Sequence, residues 1–296
     1  MEKIQAALEK ARLARNAGPV PANPIPASAP SVVSSVASSA PPVDRVDPAL
    51  AWAALPPCQP DPARLVRHRI VAFASGAQAV PFDMMRTKVI QQMRAHGWKR
   101  LAITSPTPAC GKSTIALNLA FSLARQSETR TILAEIDLRR PTLGAILGLT
   151  RGGKTKGGGA RIEGRPGFAE VLAGRADFAD VALRHGEGLA FAVNDGPVHG
   201  PAELLHGSAV APALAAIEAR YAPDLMLFDM PPMLISDDVM AFLTHVDAVL
   251  LIAGAETTTI KQIDACEREL AAQTNVMGVV LNKCNYMGPE PGYSYY

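Results

Sequence analysis

Lys112 stands between Gly111 and the pair Ser113-Thr114, where an apolar run from Leu101 to Thr104 gives way, after a short loop, to a helical pattern running from Lys112 to Arg125. A helix that opens this way aims backbone N–H groups and the positive end of its dipole at an anion, and phosphate is the natural one. In that setting Lys112 is a point charge for the β- and γ-phosphates of ATP, Ser113 a hydroxyl ligand for Mg²⁺, and Thr114 a hydrogen-bond donor to the α-phosphate. Pro108, Ala109 and Cys110 complete the loop that would cradle them. Pro106 occupies the place of the first glycine in the general phosphate-loop pattern. Cys110 reads as a small tolerated residue, with a redox role as the alternative.

Two acidic strand ends follow. In Ile132-Leu133-Ala134-Glu135-Ile136-Asp137-Leu138-Arg139-Arg140-Pro141 an apolar strand, expected over Thr131 to Asp137, delivers two carboxylates and then two arginines. Alternate residues of a strand share a face, so Glu135 and Asp137 are expected to point the same way. Leu225 to Phe228 leads into Asp229-Met230-Pro231-Pro232. Open α/β sheets bind ligands at the carboxyl ends of their strands. Mg²⁺ takes hard oxygen ligands and keeps several waters, so Ser113 with Asp229 and Asp137 is a sufficient metal side. Asn282, at the end of a late apolar run, is a candidate for contact with the base. Of the five tyrosines, Tyr286, Tyr293, Tyr295 and Tyr296 fall in the last eleven residues, among Gly and Pro. Tyrosines are normally spent in cores or interfaces, so this cluster points to phosphoacceptors.

The elements that must position these residues alternate between apolar strands and amphipathic helices. Ala202 to Tyr221 is expected to be largely helical and Ile260 to Gln273 helical; Ala248 to Ala253 and Val276 to Asn282 are further strands. Apolar strands separated by helices imply a parallel sheet with right-handed crossovers, hence a doubly wound, mostly parallel α/β fold; with its phosphate loop this resembles the MinD/ParA-like P-loop NTPases. Residues 1–17 read as a short amphipathic helix that docks on a partner protein or membrane surface, or frays. Residues 18–66 read as a disordered Pro/Ala/Ser-rich linker, since the stretch to Arg67 holds twelve of the 25 prolines. Residues 67–285 form the catalytic domain and 286–296 a disordered tail. The glycine-rich basic stretch Arg151 to Arg165 reads as a surface insertion, with Lys154, Lys156 or Arg161 reaching a phosphate or an acidic partner as the alternative.

Lys plus Arg number 29 against 27 Asp plus Glu, and a net charge of +2 supplies no global field for nucleic acid. No nucleic-acid partner is expected. The four cysteines form no C-x-x-C pair, which argues against a zinc site or a disulfide framework and fits a reducing cytoplasm. No apolar run approaches the roughly 20 residues of a membrane span.

Taken together, these residues resemble the bacterial tyrosine kinase family, cytoplasmic autokinases of capsule and exopolysaccharide export. Thr104 to Thr114 matches that family's T-S-x-x-P-x-x-G-K-S-T, including Pro108. The second acidic strand resembles its D-x-D-L-R-R-P segment and the third its D-x-P-P segment. Pro166 to Gly174, Pro201 to Leu205 and Val279 to Asn282 also look like family stretches, and the resemblance runs from about Phe82 to Tyr296. It implies an ATP- and Mg²⁺-dependent protein-tyrosine kinase in which Asp137 orients metal-bound water or takes the tyrosine proton. It also implies that Arg139 neutralises charge on the transferring phosphoryl group, with pairing to an acid on a neighbouring strand as the alternative. Glu135 replaces the family's first aspartate in D-x-D. The family's E-x-x-R-x-x-R helix, which pairs subunits, aligns with Val80, Asp83 and Arg86, and only Arg86 matches; self-association through a different contact is expected. The resemblance further implies a membrane-spanning polysaccharide co-polymerase as activator, recruitment to the inner face of the plasma membrane through it, and substrate proteins of polysaccharide synthesis. The competing readings are a MinD/ParA-like nucleotide-switch ATPase and a catalytically reduced regulatory ATPase.

Overall fold

A computed structural model describes residues 47–149 and 164–284. The expected N-terminal helix, most of the expected linker, most of the basic glycine-rich stretch and the tyrosine cluster lie outside the described residues. So do Tyr286, Tyr293, Tyr295 and Tyr296.

Seven strands, β1 (Arg100–Ser105), β2 (Thr131–Glu135), β3 (Leu183–His185), β4 (Leu189–Ala192), β5 (Leu225–Pro232), β6 (Ala248–Gly254) and β7 (Asn275–Asn282), form one sheet in the order β3-β4-β2-β5-β1-β6-β7. All neighbours run parallel except β3, which joins β4 antiparallel at one edge. Eleven α-helices are described: α1 (Pro48–Ala54), α2 (Pro62–Arg67), α3 (Val80–His96), α4 (Lys112–Ala124), α5 (Leu143–Leu147), α6 (Phe168–Leu172), α7 (Phe178–Val181), α8 (Pro201–Leu205), α9 (Val210–Tyr221), α10 (Asp238–Phe242) and α11 (Ile260–Ala271).

The strand sequences explain the two-faced core. Leu101, Ile103, Leu133 and Leu227 pack with Phe121 of α4 and Met93 of α3 on one side. Ala102, Ile132, Ala134, Met226 and Phe228 pack with Trp52, Phe168, Tyr221 and Phe242 on the other. This is the alternation of a strand that is buried on both faces, where every residue is apolar and parity only decides which layer it joins. The expected doubly wound, mostly parallel sheet is present.

Three expectations change. The expected linker ends earlier, because the chain is folded from Asp47. Asp47 and Asp61 cap α1 and α2, accepting from Ala49 N at 2.9 Å and Ala63 N at 3.1 Å, and Pro48 and Pro62 sit in the first turn of each helix. Proline there starts a helix instead of breaking one. Trp52, Leu55, Cys58 and Leu65 are buried, and Trp52 donates from Nε1 to the Tyr221 carbonyl at 2.6 Å. The helix expected over Ala202 to Tyr221 is two, α8 and α9, interrupted at residues 206–209. Strand β2 stops at Glu135, two residues short of Asp137.

Candidate active site

Strand β1 sits between β5 and β6 and feeds the phosphate loop, which runs from Pro106 to Gly111 into α4. The loop is pinned from three sides. Ser105 Oγ donates to the Thr107 carbonyl at 2.8 Å, Thr104 Oγ1 donates to the Pro231 carbonyl at 2.7 Å, and Asn282 Nδ2 donates to the Cys110 carbonyl at 2.8 Å. Gly111 has φ +92°, and a Cβ there would meet Asn282 Nδ2 at 2.2 Å, so both the backbone and the space demand glycine. Ala109, with φ +63°, is a left-handed residue with a side chain, a local strain of the kind found in ligand clamps. The Cys110 thiol is buried, 3.1 Å from the Thr107 carbonyl and 3.4 Å from Thr258 Oγ1. Burial raises its pKa, but hydrogen bonds with Thr107 and Thr258 outweigh that and leave it below its ordinary value. Asn282, the candidate for contact with the base, braces the loop through its bond to the Cys110 carbonyl.

Lys112 opens α4 and lies among carboxylates. Its Nζ is 2.8 Å from Asp137 Oδ2 and 4.0 Å from Asp229 Oδ1, with Ser113 Oγ at 3.5 Å. Burial works against its charge, yet Asp229 and Asp137 together hold the ammonium above its ordinary pKa. Asp229 is fully buried, and among the described residues neither of its oxygens has a hydrogen-bond partner. Burial pushes its pKa up against the pull of Lys112; Ser113 is near enough to ease the charge without making a hydrogen bond of good geometry. A buried carboxylate with open lone pairs beside a serine hydroxyl at the start of a phosphate-binding helix fits a divalent cation. Among the described residues no group of three His, Cys, Asp or Glu side chains is arranged to hold a metal alone. A cation here would therefore take Ser113, Asp229 and Asp137 oxygens together with phosphate and water. Thr114 follows in the first turn of α4; ahead of it Pro108 and Ala109 are exposed and Cys110 is buried.

The two acids of the second strand part company. Glu135, the last residue of β2, turns inward: Oε1 accepts from Thr142 N at 2.5 Å and Leu143 N at 2.7 Å, and Oε2 from Asn194 N at 2.9 Å. Burial pushes its pKa up to about 7 against these hydrogen bonds, and the nearby charge of Asp229 adds to the rise. Asp137 lies beyond the strand, where N–H groups of Ile136 and Asp137 both donate to the Asp229 carbonyl, at 2.8 and 3.0 Å. The expected shared face of Glu135 and Asp137 is therefore absent, because strand alternation stops where the strand stops. Arg139 forks onto Asp238, Nε to Oδ2 at 2.6 Å and Nη2 to Oδ1 at 2.9 Å, with Ser236 Oγ also donating to Oδ2 at 3.0 Å. This is the acid-pairing alternative, with the acid on α10 instead of a strand. Sequence reasoning passed over Asp238, Asn194, Thr142 and Thr258; Asp238 lies 99 residues from Arg139, and no local signal marks the pair.

No family model matches the chain. A tyrosine-protein kinase, YwqD, of Bacillus subtilis is 28% identical over 200 residues, covering 67% of this chain and 77% of that protein. A putative tyrosine-protein kinase, EpsB, of Ralstonia nicotianae is 30% identical over 200 residues, covering 67% of this chain and 24% of that protein. This chain thus spans about a quarter of the length of the Ralstonia relative. The kinase domain of Escherichia coli tyrosine kinase ETK superposes with a TM-score of 0.58 at 25% identity, covering 74% of this chain and 82% of that one.

The chain belongs to the bacterial tyrosine kinase family. In this chain Glu135 stands where the family pattern has an aspartate, and its side chain is taken up by the backbone N–H groups of Thr142, Leu143 and Asn194. Asp83, in the segment aligned with the family's subunit-pairing helix, is also used internally. Its Oδ1 accepts from Ser122 Oγ at 2.5 Å and from Arg86 Nη1 at 3.2 Å, and Arg125 joins the same oxygen. Among the described residues no helix is long and apolar enough to cross a membrane.

Proposed function

We propose that the chain is an ATP- and Mg²⁺-dependent protein-tyrosine autokinase that phosphorylates Tyr286, Tyr293, Tyr295 and Tyr296. The observation that carries this reading is Lys112 held between Asp137 and Asp229, with the Asp229 carboxylate unsatisfied. When bound, ATP would supply the phosphoryl group and Mg²⁺, held by Ser113, Asp137 and Asp229, positive charge against it. The chain's own residues do the rest. Backbone N–H groups of the loop and Lys112 bind and orient the phosphates. Lys112 then has anions other than Asp137 to pair with, which frees Asp137. A tyrosine hydroxyl has a pKa near 10 and needs a base at neutral pH. Asp137 accepts the phenolic proton as the phenol oxygen bonds to the γ-phosphorus and the bond from that phosphorus to the β-phosphate bridging oxygen breaks, leaving ADP.

Exopolysaccharide or capsule export is the process we assign to it, with a membrane-spanning polysaccharide co-polymerase as activator, recruitment to the inner membrane face through that partner, and self-association. Relatives named Wzc and Etk are tyrosine-protein kinases of this same family, which supports transferring the family's setting.

The test is to incubate the full chain with Mg-ATP, blot for phosphotyrosine and map sites by mass spectrometry beside Lys112→Ala. Phosphate on the four tyrosines is expected, reduced about 10²- to 10³-fold in the variant. ATP binding without phosphotyrosine, even with the cytoplasmic segments of a co-polymerase added, overturns the kinase reading in favour of a switch or reduced regulatory ATPase.

A further inference from the structure

Cys110 lies between two left-handed residues of the phosphate loop, Ala109 at φ +63° and Gly111 at φ +92°. Changes of hand along a short backbone turn successive N–H groups toward one point and make a concavity for an anion. Alanine reaches the left-handed region only at a cost, so the loop keeps this shape where its surroundings hold it. The Cys110 carbonyl is held from the end of β7, by Asn282. Its thiol is held from a different element. Sγ is 3.1 Å from the Thr107 carbonyl and 3.4 Å from Thr258 Oγ1, and Thr258 belongs to the turn that leaves β6 and leads into α11.

The two ends of this group fix the direction of every hydrogen bond in it. The Gly254 N–H, at the end of β6, can only donate, and it donates to Thr258 Oγ1 at 2.9 Å. The Thr107 carbonyl can only accept. The single thiol hydrogen goes to that carbonyl, its nearest acceptor, so the hydroxyls of Thr107 and Thr258, each 3.4 Å away, donate to the sulfur. The result is a one-way chain from Gly254 N–H through the Thr258 hydroxyl and the Cys110 thiol to the Thr107 carbonyl, each donor polarised by the one before it. Its last bond spans Pro108 and Ala109, and so clamps the left-handed alanine from both sides.

We propose that Thr258 is a positioning residue for the phosphates of ATP, acting through the Cys110 thiol on the backbone of residues 109–111. The place of Thr258 itself does not depend on its hydroxyl, because its N–H donates to the Gly254 carbonyl at 2.9 Å. Without the hydroxyl the thiol loses the donor that orients it, and the backbone at Ala109 relaxes toward a right-handed form that turns N–H groups away from the phosphates. The loop meets those phosphates both before and during transfer, so the loss falls on binding and not on the chemical step. This role rests on ATP occupying the loop, as in the proposed kinase reaction, and not on which group accepts the phosphoryl.

Calorimetry of Mg-ATP binding to the full chain, beside the rate of phosphotyrosine formation at saturating Mg-ATP, tests this in Thr258→Val and Thr258→Ser. Valine keeps the shape of threonine without its hydroxyl and is expected to raise Kd about tenfold, the worth of one hydrogen bond, with the rate at saturation within about twofold of wild type. Serine restores the hydroxyl and is expected to bring Kd back to within about twofold of wild type. Thr258→Ala, which adds no bulk at all, carries the same expectation as valine. A merely structural lesion lowers the folded fraction and with it the rate, and leaves the Kd of the folded molecules unchanged; that result overturns the role. So does a Kd that serine fails to restore, or a wild type that binds no Mg-ATP. A wild type that binds Mg-ATP, weakens with valine and forms no phosphotyrosine keeps the role of Thr258 and loses the kinase reading.

Discussion

Glu135 ends β2 and its register partner Asp229 lies within the neighbouring β5; both are fully buried, yet their surroundings are opposite. Glu135 accepts three backbone N–H groups and fastens the turn at Thr142 and the chain at Asn194 to the sheet. Asp229 accepts none and faces Lys112 across 4.0 Å. Burying a carboxylate costs heavily unless its lone pairs are occupied. Where the protein occupies them itself, the acid is scaffold; where it leaves them open next to a cation and a helix start, the acid is reserved for something that arrives.

The comparison is broken most directly at Asp229. Asp229→Asn removes a strained charge and is expected to stabilise the nucleotide-free protein, raising Tm by roughly 2–4 °C for about 1 kcal/mol, while abolishing the further rise that Mg-ATP gives the wild type. Thermal melts with and without Mg-ATP check both halves; an asparagine that melts lower without nucleotide removes Asp229 from the reserved class.

Glu135 gives the next effect. Its folded pKa of about 7 lies above the ordinary 4.5. The folded state therefore holds the proton through that window while the unfolded state releases it, so stability falls as pH rises from about 4.5 to about 7, by on the order of 3 kcal/mol from this group. Asp229, also raised, acts in the same direction from its own lower ordinary value. Glu135→Gln is expected to flatten the Glu135 share, seen as a smaller difference between urea midpoints at pH 5 and pH 7 than in the wild type. An unchanged difference would mean that the three N–H groups keep Glu135 ionised.

The smallest effect is expected at Asp238. Arg139 is half exposed although Asp238 is buried, so Asp238→Asn removes the charge while an amide oxygen stays to accept from Arg139 or Ser236. A loss of about 1 kcal/mol or less, with phosphotyrosine formation within twofold of wild type, places Arg139 with the scaffold; a gain in phosphotyrosine would show that the pair restrains a charge the site uses.

Strands β1, β2, β5, β6 and β7 were legible because they are largely apolar runs, and the phosphate loop because glycine, lysine and a helix start coincide at residues 111–112; β3 and β4 were not, being three and four residues long, with Arg184 and His185 in β3. The division of labour between Glu135 and Asp137 was not, since it depends on β2 ending at residue 135, and the Ile136 and Asp137 N–H groups are drawn off to the Asp229 carbonyl instead of continuing the ladder. The segment 47–67 read as linker because prolines were counted without regard to the aspartates before them, which convert Pro48 and Pro62 into helix starts. Arg139 and Asp238 are 99 residues apart in the chain, and no local pattern joins them.

Gly111 and Asn282 are 171 positions apart, yet they amount to a single heritable character. A side chain at 111 collides with the Asn282 carboxamide, and a shortened residue at 282 releases the Cys110 carbonyl without relieving the left-handed backbone that holds 111 to glycine. The constraint is therefore one-sided: drift at 282 is survivable with glycine in place, whereas 111 stays glycine whichever residue stands at 282. Among descendants of this gene, position 282 is where variation would first be found.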